Sequence, residues 1–173
     1  MPRLAVLSLI PLLLLTSCAS LSEEECLRGD WRGIGYEDGV DGRERDFILR
    51  HAKACAEVGV SPDREAWLAG RAEGLPLYCT IDNAYDEGRR GVVLNNVCPP
   101  AQYARLRAAN RQGLRYRAVL DDIDDAEDRQ RAIRAQLAEL PSDNPIRGAL
   151  RAEYSSLQSK IMFLRLERLR LRR

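Results

Sequence analysis

The sequence is poor in histidine, in aromatic residues, in net charge and in long apolar runs. It has one histidine and 6% aromatic residues, and its 27 basic and 26 acidic residues nearly cancel. With His51 as the single histidine, no Ser-His-Asp or Cys-His nucleophile arrangement is supported. The balanced charge argues against a general nucleic-acid binder, which is basic as a whole. The longest apolar run, residues 4–15, is too short to cross a bilayer as a stable helix.

Other catalytic patterns are equally weak. The glycines between residues 33 and 39 do not follow a strand pattern, so they do not indicate a phosphate-binding loop. Asp38 with Asp41, and Asp86 with Glu87, supply the paired carboxylates that a glycosidase requires. Acids beside glycine on a short helix are, however, typical of a solvated face. We therefore predict that the chain is not an enzyme and binds no cofactor.

The start of the chain has the pattern of a bacterial lipoprotein signal. Arg3 precedes the apolar run, and Leu15-Thr16-Ser17-Cys18 follows as a leucine, two small residues and a cysteine. We predict that residues 1–17 are a cleaved signal peptide and that Cys18 carries the lipid. Each buried methylene of an acyl chain contributes roughly 0.8 kcal/mol, so two or three chains would hold the protein on a membrane. The alternative is an ordinary signal peptide with a chance cysteine.

Localisation follows from this signal. Ala19 and Ser20, rather than an aspartate, follow Cys18. This favours sorting to the outer membrane, with the protein facing the periplasm. After cleavage the chain would have 26 basic and 26 acidic residues, because Arg3 is the one charged residue removed.

Four cysteines remain besides Cys18, namely Cys26, Cys55, Cys79 and Cys98. An even number in an exported protein indicates two disulfides, with three pairings allowed. Sequential pairing, Cys26 with Cys55 and Cys79 with Cys98, is favoured because it closes short loops. The rival interpretation is a metal site, since His51 and Cys55 lie one helical turn apart. The close C-x-x-C spacing of zinc sites is missing, and we predict no metal.

The first half of the chain contains a repeated spacing. After a polar tether, 18–25, we predict a disulfide-bridged helical domain over 26–100. An aromatic residue is followed by two glycines three and six or seven positions later at Tyr36-Gly39-Gly42, Trp67-Gly70-Gly74 and Tyr85-Gly88-Gly91. Glycine at this distance lies on the same helical face as the ring. Either the ring covers a bare backbone, or a second helix approaches closely, in short helices stacked as similar units.

Residues 101–173 have the pattern of a helical hairpin. The segment 141–145 is a break, and on each side of it a set of mostly apolar positions alternates by four and three. These seam positions are Val119, Ile123, Ala126, Gln130, Ile133, Leu137 and Leu140 on the first arm, and Leu150, Tyr154, Leu157, Ile161, Leu164, Arg168 and Leu171 on the second. This heptad spacing predicts an antiparallel coiled coil, which places the acids of 121–124 near Arg165 and Arg168. The fold class is therefore all-α, with a small disulfide-bridged helical head built on aromatic-x-x-Gly repeats, followed by a long antiparallel hairpin. The arginine-rich end is either a solvated terminus favoured by the helix dipole or a contact for anionic lipid headgroups.

Several spaced motifs resemble a known family. They are Asp30-Trp31, Gly35-Tyr36-x-Asp38-Gly39-x-x-Gly42, Ala54-Cys55, Gly70-Arg71-x-x-Gly74-Leu75-x-x-Tyr78-Cys79-Thr80 and Val97-Cys98-Pro99. Together they resemble a group of proteobacterial envelope lipoproteins known as domain of unknown function 2799, over roughly residues 26–116. The resemblance implies an exported, lipid-anchored and cysteine-bridged domain, often with a coiled-coil tail. It implies no known activity.

Two functions from different classes are consistent with these patterns. The first is a lipid-anchored envelope protein with a structural or protein-interaction role, whose hairpin engages another protein or peptidoglycan in the periplasm. The second is a binder of small envelope ligands, such as sugar or peptidoglycan fragments. Its candidate contacts are the aromatic rings of the head, which could stack on a ligand: Trp31, Tyr36, Trp67, Tyr78 and Tyr85. Rings enclosed in a core would favour the first function, and rings lining an open cleft the second.

Overall fold

The computed structural model describes residues 19–172 of the chain, and the predicted signal peptide and Cys18 lie outside this range. Within it the chain forms seven α-helices and one short 3₁₀-helix, Ala56–Val58, and no strand. The α-helices are α1 Glu23–Arg28, α2 Trp31–Val40, α3 Ile48–Cys55, α4 Arg64–Tyr78, α5 Ile81–Arg89, α6 Pro100–Glu139 and α7 Ile146–Leu171. The predicted all-α class is confirmed.

The described residues form two compact units, each with one disulfide. The first unit comprises 19–29 and Asp46–Pro62, and the second comprises Asp30–Arg45 and 63–172. Cys26 is bonded to Cys55 in the first unit and Cys79 to Cys98 in the second, with Cα–Cα distances of 5.4 and 5.6 Å. The two predicted disulfides are confirmed, in the sequential pairing. The predicted domain 26–100 contributes residues to both units, and its end falls at the first residue of α6.

The first unit contains α1, α3 and the 3₁₀-helix. The Ser22 hydroxyl accepts a hydrogen bond from the Glu25 N–H, and the Glu25 carboxylate accepts one from the Ser22 N–H. This capping box begins α1 at Glu23, so the helix starts within the predicted tether 18–25. The hydrogen bonds from Ser22, that of its backbone first, lower the pKa of Glu25. On α3, the His51 ring lies edge-on to Phe47, and its Nδ1 is 3.0 Å from the Ser20 hydroxyl.

In the second unit, α2 and α4 pack side by side, in the same direction, through glycine. A Cβ at Gly35 would overlap the carbonyl of Trp67, and one at Gly39 would overlap the carbonyl of Arg71. The glycines of α4 are equally close to α2, since a Cβ at Gly70 or Gly74 would overlap α2 carbonyl groups. Both helices therefore carry glycines four residues apart on the shared face, and only hydrogen fits between the two backbones.

A second pair, α5 with the beginning of α6, repeats this packing. A Cβ at Gly88 would overlap the carbonyl of Asn110, and one at Gly113 would overlap the carbonyl of Tyr85. The turn that follows α2 and the turn that follows α5 also correspond. Gly42 and Gly91 both have positive φ, and the next residue donates its N–H to the carbonyl five residues earlier in both turns. Of the two outcomes expected for the glycine spacing, the structure has the close approach of a second helix.

Helices α6 and α7 form an antiparallel hairpin, with residues 141–145 between them. The predicted seam positions of α6 are buried or half-buried, as are those of α7. Val119, Ile123 and Leu164 form one apolar cluster of this seam, with Leu171 packed against it. The long coiled-coil-like hairpin predicted from the heptads is therefore present, and α6 connects it without a break to the glycine-packed pair.

The ion pairs across the hairpin differ from the expected ones. Asp122 pairs with Lys160, Glu127 with Arg165 at 2.8 Å, and Arg129 with Glu153 at 2.7 Å. Of the residues that the sequence placed near one another, Asp122 is paired with Lys160 and Arg165 with Glu127. The seam fixes the register through its buried side chains, and exposed charges adapt to it at a cost of at most about 1 kcal/mol.

Candidate functional site

The five aromatic residues predicted to contact a ligand are mostly enclosed. Trp67 is 0% exposed, Tyr78 2%, Tyr85 5% and Trp31 7%, whereas Tyr36 is 37% exposed. The cavities described below are lined by other residues. Four of the five rings therefore lie in the packed interior of the second unit, and one has a face that a ligand can reach.

Trp67 belongs to a buried polar cluster between α2 and α4. Its indole Nε1 donates to a carboxylate oxygen of Asp38 at 2.8 Å. The Arg71 guanidinium lies 5.9 Å from the centre of the indole ring, and its Nε donates to the carbonyl of Arg43 at 2.7 Å. Burial is the main cause that lowers the pKa of Arg71. Asp38 is thus a buried carboxylate that accepts a hydrogen bond from the Trp67 indole.

Tyr78 connects two loops to the end of α4. Its ring lies against Gly42, where a Cβ would overlap it, and its hydroxyl accepts a hydrogen bond from the Asn95 N–H at 2.9 Å. The Asn95 side chain donates in turn to the carbonyl of Gly42 at 3.0 Å. Burial raises the pKa of Tyr78. This tyrosine therefore fixes the turn after α2 against the segment that leads to Cys98.

Tyr85 attaches the end of the hairpin to α5. Its hydroxyl donates to the carbonyl of Leu171 at 2.9 Å, and Gln112 donates to the same oxygen at 3.1 Å. The Arg89 guanidinium lies over the rings of both Tyr85 and Tyr116, 5.9 and 5.1 Å from their centres. The last turn of α7 is thereby held against the glycine-packed helices.

A surface that the sequence analysis did not identify lies on α7. Met162, Phe163, Leu166 and Leu169 are more than half exposed, although Ile161 and Leu164 beside them are buried in the seam. The exposed four lie outside the seam, and three of them, Met162, Leu166 and Leu169, also border α6 residues in the groove described below. We call these four residues the outer face of α7. The sequence does contain a signal for this surface. Met162, Leu166 and Leu169 form a second apolar stripe, at i, i+4 and i+7, that is offset from the seam positions.

Two grooves border apolar residues of the second unit. One, of about 580 Å³, lies between α6 and α7 and includes Met162, Leu166 and Leu169 of the outer face, with Glu127, Arg131, Arg134 and Arg165 among its polar residues. The other, of about 550 Å³, lies next to the Cys79–Cys98 disulfide. It is lined mainly by small or apolar residues, among them Leu75, Pro76 and Val97. Neither groove contains a histidine or a cluster of acids.

Among residues 19–172, no group of three or more His, Cys, Asp or Glu side chains is placed to hold a metal ion. None of the helices in that range combines the length and the apolar character that a membrane span requires.

The comparisons with known proteins concern the glycine-packed helices. Residues 30–115 match a family model described as "Protein of unknown function (DUF2799)". The matched segment contains α2, α3, the 3₁₀-helix, α4, α5 and the first part of α6, and it ends before the hairpin seam. No curated protein and no solved structure matches the chain significantly.

Proposed function

The chain belongs to the DUF2799 family through its residues 30–115, and we propose that it is a lipid-anchored cell-envelope protein with a structural or protein-interaction role in the periplasm. The anchor would be the lipidated Cys18, and the partner of the hairpin would be another protein or peptidoglycan. The proposal treats the family domain as a stable platform and the hairpin as the element that reaches a partner.

The sequence before the described residues supports the anchor. The leucine, two small residues and cysteine that end at Cys18 follow a basic start and a short apolar run. The two disulfides support export, because disulfides persist in oxidising compartments such as the periplasm. Outer-membrane sorting is proposed because no aspartate follows Cys18.

The observation that carries the interaction role is the hairpin itself. It extends beyond the family domain, and α7 keeps apolar residues on its outer face although its seam is already filled by α6. An apolar surface that remains after folding is typical of an interaction site. The groove between α6 and α7 adds a concave surface with polar and apolar residues, which suits a partner helix or a glycan strand.

The alternative, binding of small envelope ligands through the aromatic residues, has less support. Four of the five rings are enclosed, and the Trp67 indole already donates to Asp38. Tyr36 is the one ring of the set with a large exposed fraction. A single exposed ring provides little stacking area, so the burial favours the structural role.

The anchor is tested by processing in cells. We expect Cys18→Ala to leave the precursor uncut and without label from metabolic palmitate. Globomycin treatment of the wild type should also leave the precursor uncut, but with the palmitate label present, because the thiol is acylated before cleavage. Ala19→Ser is the matched control, since it changes the adjacent position and keeps the thiol. Normal cleavage and no palmitate label in the wild type would contradict the anchor.

The interaction role is tested by crosslinking in cells. A photo-activated amino acid at Gln158, in the groove between the two arms, is expected to give a discrete crosslinked product. The same amino acid at the exposed Ala101, in the first turn of α6, is the control. Digestion of the product with a muramidase distinguishes peptidoglycan from protein. Equal patterns at both positions would contradict a specific role for the hairpin.

A further inference from the structure

The outer face of α7 requires a partner that the hairpin does not provide. Met162, Leu166 and Leu169 lie one above the other at helical spacing, with Phe163 beside them, and they are 53 to 65% exposed. Together they present on the order of 500 Å² of contiguous apolar surface, which exceeds what scattered surface residues contribute. The surface forms a ridge between two grooves, since Leu166 lines both the groove shared with α6 and the groove beside Phe163.

Positive charge surrounds this ridge. The last turns of α7 carry Arg165, Arg168 and Arg170 with a single acid, Glu167, and Arg172 follows the helix. Arg165 pairs with Glu127 of α6, and Arg170 lines the groove beside Phe163. The opposite sign lies on the other arm, where six of the eight residues 121–128 are acidic. The end of α7 therefore carries a local excess of positive charge beside the exposed ridge, although Glu127 of α6 also borders it.

A second copy of the chain does not complement this surface. Two copies packed through their outer faces would bury about 1,000 Å² in total, less than the roughly 1,200 Å² at which specific protein interfaces begin. They would also bring two arginine-rich helix ends together, and like charges at an interface oppose association. A partner that complements this surface is instead anionic and has an apolar region into which the exposed side chains of the ridge can insert.

We propose that the outer face of α7 lies on an anionic phospholipid surface. Phe163, Met162, Leu166 and Leu169 enter the boundary between headgroups and acyl chains, and the arginines around them bind lipid phosphates. The long arginine side chains can keep their guanidinium groups at headgroup level while their stems cover apolar surface. Glu127 of α6, which borders the same groove, stays paired with Arg165 at the edge of this surface. This inference goes beyond the proposed function, because it gives the outer face a lipid occupant and leaves Gln130, Arg131, Arg134 and Gln158 of the groove to the proposed protein or peptidoglycan partner.

The position of the ridge can be measured with one tryptophan. Trp31 and Trp67 are buried, so Phe163→Trp in the full-length chain adds one exposed reporter. With vesicles of phosphatidylglycerol and phosphatidylcholine, we expect its emission to shift to the blue and brominated acyl chains to quench it. Ser155→Trp, on the same side of α7 but outside the ridge, is expected to respond much less. Leu169→Trp is a second reporter for the case in which the first variant folds poorly.

This readout separates the ridge from the anchor. If residues 1–18 alone bring the chain to vesicles, the Phe163→Trp protein sediments with them while its added indole is not quenched, and the inference is overturned. Equal quenching by neutral vesicles of phosphatidylcholine would also overturn it, as would a blue shift without lipid that grows with protein concentration, which indicates a second copy. Quenching of the added indole with no palmitate label in cells would support the ridge and contradict the anchor.

Charge reversal tests the phosphate contacts. Removal of one arginine near an anionic surface is expected to weaken binding about fivefold, and reversal by Arg170→Glu by more than that. Arg117→Glu makes the same change on α6, where Arg117 pairs with Asp121 away from the ridge, and should have little effect. Raising the salt concentration should remove the difference between the two variants, because exposed charges are screened. Equal effects of the two substitutions would overturn the proposal.

Discussion

The substitution Gly70→Ala tests whether close backbone approach is what the glycines of the family domain provide. A Cβ at Gly70 would overlap the carbonyl of Arg32 on α2, so one of the two backbones must move. Overpacking of this kind costs typically about 1–3 kcal/mol, and the upper end applies because no flexible side chain can yield. Alanine recovers about 1 kcal/mol of helix propensity. We expect a net loss of about 2 kcal/mol in the free energy of unfolding.

The control for this prediction is Gly148→Ala on α7, where a Cβ would meet nothing within 4 Å. The same change there should stabilise the chain by up to about 1 kcal/mol, since only the propensity and the unfolded-state entropy change. Urea unfolding, followed by tryptophan fluorescence with the disulfides intact, measures both variants, because Trp31 and Trp67 both lie in the second unit. If Gly70→Ala proved as stable as Gly148→Ala, the argument from close approach would be refuted.

Three further predictions concern single hydrogen-bonding groups. Asp38→Ala removes the acceptor of the buried Trp67 indole and should cost about 3 kcal/mol in urea unfolding, whereas Asp38→Asn should cost less. Because the pKa of Glu25 is lowered in the folded chain, its capping contribution is present above the unfolded pKa and is lost as the pH falls through the folded value. NMR titration should show this loss in the wild type and its absence in Ser22→Ala. Tyr85→Phe should speed amide exchange in the last turn of α7, because the hydroxyl no longer binds the carbonyl there.

The hairpin shows how much of the fold a periodic pattern can predict. Each arm of the hairpin buries one side, and residues at heptad spacing share that side. The heptad spacing therefore identifies the seam, in which Val119 and Ile123 of α6 pack with Leu164 of α7. The acids and arginines predicted to lie near one another include members that pair with other residues, because exposed charges contribute too little to select one partner. The outer face of α7 was missed for a different reason. A second apolar stripe acquires meaning only when it is known which side of the helix is covered.

The glycine spacing identified the right residues but not the interaction they make. Tyr36 and Tyr85 hold equivalent places in the repeated spacing, yet the first is partly exposed and the second is buried. What the two copies share is the backbone contact, since a Cβ at Gly74 would overlap the carbonyl of Tyr36, and one at Gly113 would overlap that of Tyr85. An aromatic residue can be read directly from the sequence. The helix that packs against a glycine cannot, because it is determined by the tertiary packing.

The correspondence between the two glycine-packed pairs extends to the polar residue next to the contact. Arg71 donates to the carbonyl of Arg43, and Asn110 donates to the carbonyl of Val92, the equivalent residue of the second turn. Asn110 does more, because it also donates to the carbonyl of Ala84 and accepts from the Leu94 N–H at 3.2 Å. In both pairs, a side chain of the later helix, α4 or α6, therefore hydrogen-bonds to the turn that follows the earlier helix, α2 or α5.

The substitution Asn110→Ala should therefore be among the most destabilising single changes in the family domain. It removes three hydrogen bonds from a residue that is 3% exposed and leaves their backbone partners without an acceptor or donor. At about 1 kcal/mol for each bond, and more for groups that stay buried, the expected loss is about 3–5 kcal/mol. Asn110→Asp keeps the acceptor for Leu94 and loses both donors, so its Leu94 amide should exchange more slowly than in the alanine variant. A loss below about 1 kcal/mol for Asn110→Ala, measured by urea unfolding, would mean that the turn after α5 is held by its glycine alone.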